Sequence, residues 1–388
     1  MVYIVDGDIF LWTEGGVPNQ LTFNGDAVDV LLSDDASVVV FVRSIDSAHN
    51  EIWAINSNGT NERLLVSQQE FAAELDLPGA LAVVPHKIAW APGRRLLAYN
   101  TRYVFDGPGL MQRGDLNLVN ADTLEKSQLL PPGAAGSGDD FVYEPGMAGE
   151  FLYSPDGGQI ALSTPNSISL MAADGSNLLP DILQYEVVIT YSEYAYHARP
   201  RWALDGGALR VMIPPEDPLA EPPPDTTLWH IPSDGSPATP LGSFPVSPFY
   251  FSQGSGHPIS PDLNRFAYLH DAGGGANELH LADVDGSNDV VYVTGQLLKF
   301  HGWAPDSQRF AYSVGDSPPM LGQVGAAPLP LTDVTTQAGA LVWVDDGKVL
   351  FVNISQPVEL RLGVVGGVST VIDYFAAGDA LPQFDFTQ

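Results

Sequence analysis

Short runs of alternating apolar and polar residues fill almost the whole chain, and Asp, Gly, Asn or Pro interrupts them every few positions. A period of two places one side of an extended strand against a core, so the pattern predicts strands joined by turns. Helical spacing is nearly absent, and only SQQEFAAELDL, residues 67–77, predicts a helix. The runs also repeat. LLSDDASVVVFV, WAPGRRLLAYN, YSPDGGQIALS, WALDGGALRVM, ISPDLNRFAYL, WAPDSQRFAYS and WVDDGKVLFVN each set a turn before an alternating strand. The turn falls at Asp35, Gly93, Asp156, Asp205, Asp262, Asp306 and Asp346, at spacings of 58, 63, 49, 57, 44 and 40 residues. A second unit follows most of them, as in EIWAINSNGTNERLLV, SISLMAADGSNLLP and ELHLADVDGSNDVVYV. Asn-Gly or Asp-Gly between alternating strands is a strong local hairpin signal.

Each repeat therefore reads strand, tight turn, strand, loop, strand, tight turn, strand. At this repeat length that is the blade of a β-propeller. The fold class is all-β, and residues 1–388 are expected to form a single propeller domain. Seven repeats are complete. The 35 residues up to Asp35 and the 42 after Asp346 exceed one repeat and fit two. VYIVDGDIFLWTEGGVPNQLTF supplies three strands, and the segment around ALPQFDF, with its strand expected at residues 381–387, supplies the missing one. The expected count is eight blades, closed by pairing the C-terminal strand with the N-terminal blade. Seven is the alternative, should the degenerate repeat at 341–372 be misassigned.

SPDGGQIALS (154–163), WAPDSQRFAYS (303–313) and hairpin turns such as ADVDGSN (282–288) resemble the repeats of TolB-like proteins and of prolyl-oligopeptidase-type propeller domains. The resemblance covers essentially the whole chain. It implies a propeller, and an extracytoplasmic bacterial protein in the periplasm or at the cell surface. Six blades are usual for TolB-like propellers, so eight departs toward the dipeptidyl-peptidase branch. The peptidases add a hydrolase domain with a G-x-S-x-G elbow. No such pentapeptide occurs here, and no residues remain to build that domain.

Charge narrows the choice of partner. The chain has 16 Lys+Arg against 47 Asp+Glu, a formal net charge of −31. That excludes the basic footprint of a nucleic-acid binder and disfavours anionic membranes. No apolar run nears the length of a membrane span, so no membrane insertion is expected. The absence of cysteine removes disulfides, thiolate metal sites and cysteine nucleophiles. MVYIVDGDIF begins as a strand without the basic start of a secretory signal, as a processed chain or a domain fragment would.

Long loops point to a working face. The turns within strand pairs are tight, whereas the links 67–80, 131–147, 181–197 and 243–256 and the loops 102–115 and 214–225 are long, and all fall on one face. They carry aromatic residues. Tyr143, Tyr191, Tyr194, Tyr196, Phe249 and Tyr250 are the candidate ligand-binding rings, with His197, His257 and His301 deeper. Aromatic rings beside acids suit glycans, peptides or cations. The same rings could instead pin the loops onto the blades. His86, His197, His257 and His301 precede the first strand of their repeats, near Glu150, Arg199, Arg201 and Lys299. Their unequal offsets fit four separate histidines better than a metal site, so no metal, no cofactor and no catalytic residue is assigned. The favoured reading is a monomeric, non-catalytic scaffold that binds a protein, peptide or glycan at the channel mouth. The alternative is a hydrolase or lyase with a His/Glu site there.

Overall fold

The computed structural model describes residues 1–107, 111–133, 149–192, 195–248, 250, 256–331, 333–375 and 383–387. The described residues are almost entirely antiparallel strands, and their sheets are the eight blades of a β-propeller. The chain divides into two compact units, residues 1–198 with 382–387, and residues 199–381 with 388.

The tight turns have a local cause that recurs. At Ser154-Pro-Asp-Gly-Gly, the Asp156 carboxylate accepts from Gly158 N at 2.9 Å and from Ser154 Oγ at 2.7 Å. Gln159 N then donates to Ser154 Oγ at 2.9 Å. Ser33 with Asp35 and Ser260 with Asp262 repeat this arrangement, and Asp205 and Asp306 keep its backbone bond. The second hairpins turn the same way, with Asp174, Asp234 and Asp285 each accepting from a Ser N two residues on at 2.9 Å. A carboxylate that bonds its own backbone two residues on closes the turn without help from the rest of the fold. The Asp283–Asn288 stretch is one of these hairpin turns.

The first unit contains four blades. Blade 1 is Val2–Val5, Asp8–Leu11 and Asn19–Gln20 plus the C-terminal strand Phe384–Asp385, and blade 2 spans Ala27 to Val66. Blade 3 runs from Ala82 to Leu130 and blade 4 from Glu150 to Gln184. In blade 1, Tyr3 pairs with Phe384, and Leu32 N of the next blade donates to Asp385 Oδ2 at 2.7 Å. The expected closure is present, although its strand is two residues long rather than seven. The predicted helix is also shorter, Gln68–Ala73, and begins with a Ser67/Glu70 capping box.

The second unit also contains four blades. Blade 5 runs from Arg201 to Phe244, blade 6 from Arg265 to Gln296, blade 7 from Leu298 to Pro330 and blade 8 from Ala338 to Phe375. Blade 6 has three strands, and an Ile259–Phe266 bridge stands where its first strand would lie. Blade 8 is the degenerate repeat, and its four complete strands rule out the seven-blade count. Alternation along the strands builds the cores. Phe244, Phe266, Tyr268, Phe300, Trp303 and Phe310 pack together in one apolar cluster of this unit. Among the described residues, no helix is long and apolar enough to cross a membrane.

Candidate functional site

The first strands of several blades contain one residue too many. In blade 3, Pro85 faces Thr101 and Lys87 faces Asn100, so His86 is extra. In blade 7, Phe300 faces Tyr312 and Gly302 faces Ala311, so His301 is extra. Val28 holds the same place in blade 2, and another extra residue lies between Ala338 and Leu341 in blade 8. A bulge twists the strand and re-aims the side chains beside it. Two of these bulged residues are histidines, and each anchors a different cluster.

In the first unit the cluster is charge-matched. His86 Nε2 lies 2.9 Å from Glu150 Oε1, and Lys87 Nζ donates to Glu150 Oε2 at 3.1 Å. The Gln112 amide nitrogen lies 2.8 Å from His86 Nε2 and 3.3 Å from Glu150 Oε1. With the His86 proton on Nε2 directed to Glu150, the amide hydrogen goes to the carboxylate. Lys87 Nζ also lies 5.3 Å from the centroid of the Phe151 ring. Burial alone would raise the Glu150 pKa, but the His86 hydrogen bond and the Lys87 charge hold it down at about 2. Gly149 seats Glu150. Its φ is +50°, and a Cβ at this position would collide with Ser163 O, so only glycine fits. Asn100, fully buried, donates to Gly149 O and accepts from Lys87 N at 3.0 Å. His197 Nδ1 donates to Ser163 O at 3.0 Å, and burial lowers its pKa.

In the second unit the cluster is cationic. His257 Nε2 donates to Arg199 O at 2.9 Å, and Ile259 N donates to His257 Nδ1 at 3.2 Å. Both ring nitrogens are thus used by the neutral imidazole. Burial, then the charges of Arg201 and Arg199, push the His257 pKa down to about 3. His301 is 5% exposed, its Nε2 lies 3.0 Å from Ser313 Oγ, and burial with the Lys299 charge lowers it to about 4. Arg199 Nη2 donates to Gly256 O at 3.2 Å and Arg201 Nη1 to Ile259 O at 2.5 Å. Burial, then Arg199, lowers the Arg201 pKa to about 10.

The aromatic candidates are placed differently. Tyr191 is 59% exposed, whereas Tyr196 and Tyr250 are buried, at 9% and 5%. Tyr250 Oη donates to Ala267 O at 2.9 Å, which ties its segment to blade 6. Tyr143, Tyr194 and Phe249 lie outside the described residues. The sequence does not single out Lys87, Gln112, Asn100 or Ser163. The scarcity of cations in this chain is the signal that could have drawn attention to Lys87. Among the described residues, no group of three or more His, Asp or Glu is arranged to hold a metal ion.

No family model matches the chain, and no curated protein matches it in sequence. Solved structures match it in fold. Dipeptidyl peptidase 4 of Porphyromonas gingivalis aligns at a TM-score of 0.56 and 10% identity, over 96% of this chain and 59% of that one. A eukaryotic initiation factor aligns at 0.54 and 9%, over 97% of this chain and 84% of that one. TolB of Acinetobacter baumannii aligns at 0.35 and 14%, over 74% of this chain and 61% of that one. The chain thus spans about three fifths of the length of the TolB and dipeptidyl peptidase chains. At these identities the likeness is one of fold.

Proposed function

We propose that the protein is a non-catalytic binding propeller that recognises a protein, peptide or glycan ligand at the ends of its blades' first strands, beside the long loops. Its location in this reading is extracytoplasmic, in keeping with the TolB-like repeats. The observation that carries it is the protonation chemistry of the two clusters. A general acid or base works best with a pKa near the working pH. Glu150 is fixed as a carboxylate near 2, and His257 and His301 are fixed as neutral rings near 3 and 4. Each is held far from the range in which it could take and return a proton. Glu150 is also occupied by His86 and Lys87, and His257 by two backbone groups. Side chains locked in this way suit a rigid binding surface, which loses little conformational freedom when a ligand docks.

The test is a thermal-shift screen with glycans, proline-rich peptides and acidic small molecules, since a ligand of the native state raises the melting temperature. A binder that is recovered unchanged after prolonged incubation supports the reading. A binder converted to product, with turnover abolished in Glu150→Gln, overturns it in favour of a hydrolase or lyase.

A further inference from the structure

In a chain with 47 acids and 16 Lys+Arg, carboxylate partners are plentiful. Many cations have taken one. Arg43 pairs with Asp26 and Glu62, Arg63 with Asp122, Arg113 with Glu74 and Lys126 with Glu70. In the second unit, Arg361 pairs with Asp333 and Glu359. Arg199, Arg201 and Lys299 are among those that have not, as is Arg210 opposite Arg201. Arg199 and Arg201 reach only main-chain carbonyls, which satisfy a donor without cancelling the charge. Lys299 is exposed, and its ammonium makes neither a hydrogen bond nor an ion pair among the described residues, although its backbone pairs with Ser313.

The backbone gathers them. A Cβ on Gly256 would collide with Gly302 N and His301 C, so the chain before blade 6 runs directly against the bulged strand of blade 7. Arg199 of blade 5 bonds that same Gly256, and His257 bonds back to Arg199. Three successive blades thus bring Arg199, His257 and His301 around one glycine, with Arg201 and Lys299 each two residues away along their strands. Arg199 and Lys299 are exposed there, while Arg201 is half-buried. The two histidines stay neutral among these cations, so the positive charge is permanent across the neutral pH range.

We propose that this cluster in blades 5–7 binds the oxyanion groups of a ligand, carboxylate or phosphate, with Arg199 and Lys299 as its direct charge partners and Arg201 supporting the field behind them. The inference rests on the proposed binding role and names the chemistry of the ligand. A planar guanidinium with unused N–H donors pairs well with either oxyanion, and an ammonium adds a point charge. The surrounding negative charge of the protein makes the site selective, because an anion gains nothing by settling elsewhere on the surface.

Calorimetric titration of the full chain at pH 7 and low salt, with citrate in one arm and inorganic phosphate in the other, tests it. Binding of at least one is expected, weakening as salt rises, and Arg199→Gln with Lys299→Gln should reduce affinity about ten-fold or more. Citrate alone would assign carboxylate, and phosphate alone would assign phosphate. Lys126→Gln, which removes a cation of the other unit that pairs with Glu70, should leave the affinity unchanged. Two results overturn the inference: no binding of either anion to the wild type, or undiminished binding by the double variant with an unaltered melting temperature. A neutral glycan or peptide that binds while both anions fail would sink this inference and leave the binding role intact.

Discussion

The two units carry the same device, a bulged first strand bearing a histidine, and use it in opposite ways. In blade 3 the bulge turns His86 and Lys87 onto Glu150, and the charges cancel inside the protein. In blade 7 the bulge buries His301 as a neutral ring against Ser313, and the neighbouring cations face no carboxylate among the described residues of their unit. The neighbours of the two bulged strands differ, the following blade for blade 3 and the preceding one for blade 7. Blade 4 begins with Glu150, next to Gly149, whereas the chain entering blade 6 supplies Gly256 and His257. The neighbour of the bulged strand thus supplies a carboxylate in one unit and a neutral imidazole in the other.

The units also differ in how their blades are assembled, and the largest effect is expected there. Blade 1 depends on a strand from the far end of the chain, while every blade of the second unit is contiguous in sequence. Deleting residues 383–388 removes the Tyr3–Phe384 pairing and the Asp385 bond to Leu32, and leaves the edge of Val2–Val5 open. Lower stability and concentration-dependent aggregation should follow, as measured by thermal melts and light scattering. A truncated chain that stays monodisperse with the wild-type melting point would show that the short strand is dispensable.

Next in size is Glu150→Gln. The Glu150 pKa falls from 4.5 to about 2 on folding, so its charge stabilises the folded state above pH 4.5. That stability is lost as the pH falls from 4.5 through 2. At roughly 1.4 kcal/mol per unit, the variant should lose on the order of 3 kcal/mol at pH 7. The gap from wild type should close as the pH nears 2. Denaturant melts across that range would detect a constant gap, which would mean that the loss is one of packing.

The second unit should respond to acid earlier. His257 and His301 have folded pKa values of about 3 and about 4, below the 6.5 of a free ring. Stability from keeping them neutral is complete above pH 6.5 and is lost as the pH falls toward those values. His301→Leu should flatten the decline between pH 6.5 and 4, whatever its effect at pH 7. An unchanged slope would show that His301 does not titrate on unfolding.

These contrasts mark how far the sequence can be read. The blades are legible because their turns are closed locally: Asp156, Asp174 and Asp285 bond within a few residues of themselves. Repeat position alone also places Glu150, His257 and His301 near one end of the first strands. Their partners are not legible. His86 and Glu150 are 64 residues apart, and their contact depends on a bulge that exists only relative to Leu96–Val104. Composition is what marks the loop rings, and it does not separate the exposed Tyr191 from Tyr250, whose ring fills the core of its unit.

The smallest expected effect is the most direct check on the comparison. Lys87→Gln and Lys299→Gln make the same chemical change on the bulged first strand of a blade, just after the bulge at Lys87 and just before it at Lys299. Lys87 donates to Glu150 and lies over Phe151, so its loss leaves a half-buried carboxylate with one partner fewer. A drop of about 1 kcal/mol is expected from losing a charge-assisted hydrogen bond. Lys299 touches no carboxylate among the described residues, and its charge acts against protonation of His301 and adds to a like-charged group. Its removal should change stability by no more than about 0.5 kcal/mol, an ordinary surface effect, with any trend upward. Paired denaturant melts at pH 7 distinguish the cases. Equal losses in the two variants would mean that Lys299 has a partner after all, and the second unit's cluster would then be neutralised like the first.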